Sequence, residues 1–217
     1  MSAHPPLHAR RGASDTWVPT RRLLLAVALP TALAIGGAAL LATSPSAWAQ
    51  GHGAASGALP ADPELAAALA RFDQAGASNH DAIEDAATRL TRLSAANPAD
   101  PVLRAYAGAA TSMRALTTML PWRKMSHTED GLALIDKALA QLTPAHDAPL
   151  HRGVPAVLET RFVAANTMLS LPSMFNRQER GRKLLEEVRT SPLLQQSPAP
   201  FQAVVARRVA QLSAQGN

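Results

Sequence analysis

Two Asp-Pro pairs, Asp62-Pro63 and Asp100-Pro101, stand directly before apolar patterns of helical period, and no other feature constrains the fold as much. An aspartate at the N-cap accepts hydrogen bonds from the free N–H groups of the first turn. A proline in that turn has no N–H to leave unsatisfied and already holds a helical φ. After Asp62 the stripe is Leu65, Leu69 and Phe72, closed by Gly76; a second, from about Asp81, carries Ile83, Ala86, Leu90 and Leu93 to Asn97-Pro98. The third segment, Val102 to Met119, has two apolar faces. Leu103, Tyr106, Ala110, Met113 and Leu120 form one, and Val102, Ala105, Ala109, Leu116 and Met119 the other, which predicts a helix buried on both sides. Ser126-His127-Thr128-Glu129 reads as the capping box of a fourth helix, with Leu132, Ile135, Ala138, Leu139 and Leu142 as its stripe and Pro144 as its stop. Further helices are expected from Pro155 to Leu171, Arg177 to Arg189 and Pro200 to Ser213. No stretch alternates apolar and polar residues as a half-exposed strand does, so the expected fold class is all-α.

A different kind of segment precedes this helical part. Arg21-Arg22 opens an apolar run that closes at Ala47-Trp48-Ala49, and the small residues Ala47 and Ala49 form a cleavage pattern before Gln50. The polar leader and its arginine pair resemble a twin-arginine translocation signal; a general secretory signal is the alternative. Leu23 to Ala42 is also long enough, at about 1.5 Å per residue, to cross a bilayer of about 30 Å as an uncleaved anchor. Both outcomes give one topology, because Arg10, Arg11, Arg21 and Arg22 precede the run and no Lys or Arg follows it before Arg71. The expected organisation is a signal peptide over 1–49, a Gly-rich tether over 50–61 and a periplasmic helical domain over 62–217.

The net charge of +5 overstates the basicity of that domain, since four arginines and one aspartate ahead of Gln50 account for +3 of it. With no run of Lys or Arg laced with aromatics, nucleic acid is not an expected partner, and the membrane enters only through the leader. The chain has no cysteine, which excludes disulfides, thiolate catalysis and thiolate metal sites. His146, Asp147 and His151 share a loop but lack the spacing of a metal motif, and no Gly-x-Ser-x-Gly appears. No metal, cofactor or catalytic set is expected.

A weak internal repeat joins the helices. Pro101 to Pro144 holds helix, Leu120-Pro121 turn, helix and proline stop, and Pro155 to Pro192 holds the same order around Leu171-Pro172. Gly131-Leu132-Ala133-Leu134-Ile135-Asp136 aligns with Gly181-Arg182-Lys183-Leu184-Leu185-Glu186. Together with Asn97-Pro98-Ala99-Asp100-Pro101, these segments resemble a divergent tetratricopeptide-like helical repeat protein of the kind bacteria export. The resemblance implies antiparallel helix pairs stacked as a short solenoid that grips a partner on a concave face. It brings no catalytic residues with it.

Arg161 draws attention because a helical wheel puts it amid Leu158, Ala165, Met168 and Leu169, with Glu159, Asn166, Thr167 and Ser170 on the opposite arc. An arginine there needs a partner. Asp136 on the fourth helix is the expected one; the alternative is a groove in which Arg161 holds a carboxylate of a ligand or of a partner's C-terminus. The two Leu-Pro turns supply Trp122, Arg123, Lys124 and Met125, and Met174, Phe175 and Arg177. Stacking would bring them to one edge as a binding surface, unless Trp122 and Phe175 fold back to plug the core. The expected function is a protein-interaction scaffold or adaptor for a protein or peptide partner of the cell envelope, such as a transport assembly. The alternative is a helical enzyme acting on envelope polymers through a lone Glu129 or Glu159. A cleft with one buried glutamate would favour the enzyme, and a concave face lined by Arg161 and the turn residues would favour the scaffold.

Overall fold

A computed structural model describes residues 62–215. The export residues Arg21, Arg22, Ala47 and Ala49 and the tether lie outside the described residues. Within them the chain is mostly helical, as expected. The helices are α1 (Pro63–Gln74), α2 (His80–Ala96), α3 (Pro101–Met113), α4 (Pro121–Ala140), α5 (Ala156–Ser170), α6 (Gln178–Thr190), α7 (Pro192–Gln196) and α8 (Ala199–Gln215). Both Asp-Pro pairs start helices. Asp62 Oδ1 accepts from the N–H of Glu64 and Leu65, and Asp100 Oδ1 from those of Val102 and Leu103 at 2.8 and 3.0 Å.

Three boundaries differ from expectation. Helix α3 stops at Met113 and continues only as a 3-10 turn, Arg114–Leu116, so Met119 and Leu120 are not on it. Helix α4 starts at Pro121, before the supposed capping box, because proline at N1 is itself a start signal and comes earlier in the chain. Ser126 and Thr128 therefore sit inside the helix, and Thr128 Oγ1 donates to Lys124 O at 2.9 Å, an ordinary use of a hydroxyl mid-helix. Between α4 and α5 an unexpected antiparallel hairpin pairs β1 (Pro149–His151) with β2 (Val154–Pro155). Its two-residue turn, Arg152-Gly153, has φ of 31° and 71°. Hairpin turns of this kind take Asn-Gly or Asp-Gly, and an arginine in the first position hides the signal.

The long helices pack in sequence-adjacent pairs, α1 with α2, α3 with α4 and α5 with α6. Arg71–Asp85 and Glu64–Arg92 ion pairs tie α1 to α2, Gly108 and Ser112 meet Gly131 where α3 crosses α4, and Ala165 meets Gly181 where α5 crosses α6. Helix α3 is buried all round from Pro101 to Ala110, as its two apolar faces predict. Its Leu103 joins Leu69 and Leu90 in one core, while Ile135, Leu158, Met168, Val188 and Val205 from α4, α5, α6 and α8 form the other. Leu90, Ile135 and Leu158 are fully enclosed, and each such side chain contributes about 1.5–3 kcal/mol by leaving water.

Candidate functional site

Where α3 and α5 face each other, the hairpin lays Arg152 across them. Tyr106 OH on α3 donates to Glu159 Oε1 on α5 at 3.2 Å, and Arg152 Nη2 donates to Tyr106 OH at 2.6 Å. The same Nη2 forms an ion pair with Glu159, and the guanidinium carbon lies 5.5 Å from the centre of the Tyr106 ring. Phe72 packs edge-on to that ring from α1 at 5.4 Å. Glu159 is only 2 % exposed, and its Oε2 is buried with no partner. Burial, then the Glu159 charge, push the Tyr106 hydroxyl above its ordinary range, so it stays a donor. Burial opposes the Arg152 charge, but Tyr106 and Glu159 outweigh it and hold the guanidinium protonated. The positive φ of Arg152 is strain that this cluster holds in place.

Two further titrating groups flank the cluster. Burial pushes Asp73 up to about 6, and Arg152 only partly offsets it. His151 Nε2 meets Asp100 Oδ2 at 2.6 Å, so Asp100 caps α3 with one oxygen and holds the hairpin with the other. That bond raises the His151 pKa against burial. Burial acts to raise Asp100, but His151 and the N–H groups of Leu103 and Val102 outweigh it and hold the carboxyl below its ordinary range. His151 thus ties the hairpin to the N-cap of α3.

These shifts set a pH dependence. Asp73 and His151 bind protons more tightly folded than unfolded. Their stabilisation is full below about 3.8 and 6.5 respectively, and is lost as pH rises through about 6 for Asp73 and through the raised value for His151. Asp100 acts in the opposite sense, losing its contribution as pH falls below the ordinary aspartate range. The melting temperature is therefore expected to decline as pH rises through about 6, and to keep declining above 6.5 as His151 loses its proton. Asp73→Asn should flatten the lower part of that decline and His151→Gln the part above about 6.5. A melting temperature that rises over this range contradicts both assignments.

Beside Arg152 lies a cavity of about 170 Å³, walled by Phe162, Phe201, Val204 and Pro198 with Tyr106, Arg152 and Asn166 as its polar groups. Phe162 and Phe201 meet edge to face at 5.5 Å. Space on the order of 150 Å³ accepts one benzene-sized group. Neither a carboxylate nor a serine, histidine or thiol is among its lining residues.

A comparison with protein-family models, curated proteins and solved structures finds no match.

The residues singled out from sequence fall elsewhere. Arg161 does not pair with Asp136; its Nε lies 3.4 Å from Glu187 on α6, and it is part-exposed. Asp136 is taken by Arg177 at 3.3 Å and Arg180 at 2.5 Å. The helical wheel fails because α5 is packed on both sides: its supposedly polar arc carries Glu159 into α3, while Arg161 reaches along the α6 side to a surface carboxylate. Phe175 packs on the second core, whereas Trp122 is 67 % exposed and plugs nothing. Trp122, Arg123 and Lys124 are on the first turn of α4 rather than in a turn between helices. About 21 Å of helix separates Trp122 from Asp136, the residue Arg177 reaches, so the two clusters do not form one edge. Met119 (88 % exposed), Leu120, Trp122 and Arg123 instead make a knuckle of their own. Glu129 is exposed. Sequence reasoning missed Arg152, Tyr106 and Asp73; Arg152-Gly153 before Val154-Pro155 was the one local trace.

Proposed function

We propose that the helical part is a protein-interaction module that seats an apolar group of a protein or peptide partner in the cavity beside Arg152. The composition of that wall carries the reading: apolar and aromatic on most sides, with three polar groups able to orient a ligand and none able to attack one. A tetratricopeptide-like arrangement of helix pairs agrees with it. Gly131 and Gly181, aligned in the repeat, each sit where the second helix of a pair crosses the first. With the export leader, the module would work in the periplasm, its exposed knuckle at Met119 and Trp122 offering a second contact.

The buried Glu159 is the observation that favours an enzyme acting on envelope polymers, since a buried glutamate is a common catalytic acid. Against it, Glu159 does not line the cavity and is bound by Arg152 and Tyr106. The test is a panel of short peptides with aromatic or branched side chains, titrated against the full chain and against Val204→Phe, which fills the cavity. Saturable binding that weakens at least tenfold in the folded variant is expected. Binding indifferent to Val204→Phe, or hydrolysis of peptidoglycan fragments that Glu159→Gln abolishes, overturns the reading.

A further inference from the structure

Arg104, on the first turn of α3, is 6 % exposed, and Nη2 makes its hydrogen bond among the described residues, to Pro98 O at 2.7 Å. Its Nη1 is buried with no partner, and no carboxylate among the described residues lies within ion-pair distance. Carbonyls near the end of α2 attract a cation, which accounts for the bond to Pro98. Gln141 Nε2 donates to the same oxygen at 3.0 Å and adds no charge. The guanidinium is therefore withdrawn from water without a counter-ion, an arrangement folds avoid.

The same arginine lines an open cleft of about 220 Å³ between α2, α3 and α4, with Thr91, Ser94 and Lys137. Its walls hold two cations, two hydroxyls and no acidic residue. We infer that this cleft binds a small oxyanion, a phosphate or carboxylate group, on Arg104 and Lys137. The guanidinium supplies a fixed positive charge at the wall with N–H groups left over from the bond to Pro98, the ammonium adds a second charge, and the hydroxyls of Ser94 and Thr91 can donate to the oxyanion. The cleft is distinct from the cavity beside Arg152 and does not depend on the proposed function.

Thermal melting of the full chain at constant ionic strength tests this, with inorganic phosphate or acetate replacing chloride at low millimolar concentration. A saturable rise of several degrees is expected, absent in Arg104→Met and reduced in Lys137→Met. A response to phosphate alone assigns a phosphate group, and an equal response to acetate assigns a carboxylate. No response to either, or a response of the same size in Arg104→Met, overturns the site. Lys137 is exposed and its replacement leaves the core intact, so an undiminished response in Lys137→Met overturns it even if Arg104→Met does not fold.

Discussion

Glu159→Ala is expected to destabilise the protein by about 3 kcal/mol, because it removes the carboxylate that both the Arg152 guanidinium and the Tyr106 hydroxyl are bonded to and leaves Asp73 as the acidic group near that charge. Domains of this size are stable by about 5–15 kcal/mol in all, so the variant should be largely unfolded at modest urea. Arg152→Ala strands the opposite charge on a side chain with 2 % exposure and should cost a similar amount. Joint replacement by Glu159→Ala and Arg152→Ala should cost clearly less than the sum of the two single changes, since no charge then remains to be buried alone. Tyr106→Phe removes one hydroxyl and should cost about 1 kcal/mol. Additive losses in urea unfolding across this cycle would show that the three side chains do not act as a unit. Arg152→Gly separates backbone from side chain. It keeps the loss of the ion pair but relieves the positive φ, so it should be less damaging than Arg152→Ala by about 0.5–1 kcal/mol.

Gly131→Ala should be nearly as harmful for a steric reason. A Cβ at Gly131 would meet Ser112 Oγ, which can rotate aside, but it would also lie 2.6 Å from the backbone nitrogen of Ser112 and closer still to Gly108 O, and the backbone of α3 cannot give way so cheaply. Overpacking of this kind costs about 1–3 kcal/mol, and with rigid neighbours the upper end applies. For a domain of this size that is a fall of about 2–4 °C in melting temperature per kcal/mol. Gly76→Ala is the control: a Cβ there meets nothing within 4 Å, and its melting temperature should stay level or rise slightly. Equal melting temperatures for the two variants would mean that the α3–α4 crossing yields to an added methyl group.

Helix starts and buried faces were the most legible part of the chain, since both depend on neighbours close in sequence. Asp62 and Asp100 cap helices a few residues away, and the two apolar faces of α3 are a count along one helix. Even locally, competing signals misled at α4, where Pro121 preceded and overrode the capping box. The candidate site was far less legible. Its surface residues were chosen by type, and the structure leaves Trp122 and Arg123 on one corner while Phe175 and Arg177 serve packing and an ion pair.

By itself the amino-acid sequence determined the helical class, most helix starts and the burial of α3, because capping and periodicity act within one or two turns. Only the tertiary structure decided which polar side chains are buried and with whom. A helical wheel gives Glu159 and Arg161 an angle but not a neighbour. It is the packing of α3 on one flank of α5 and α6 on the other that sends Glu159 to Tyr106 and Arg152, and Arg161 to Glu187. Those partners stand up to 53 residues apart, and long side chains such as arginine reach whichever counter-charge the fold brings close.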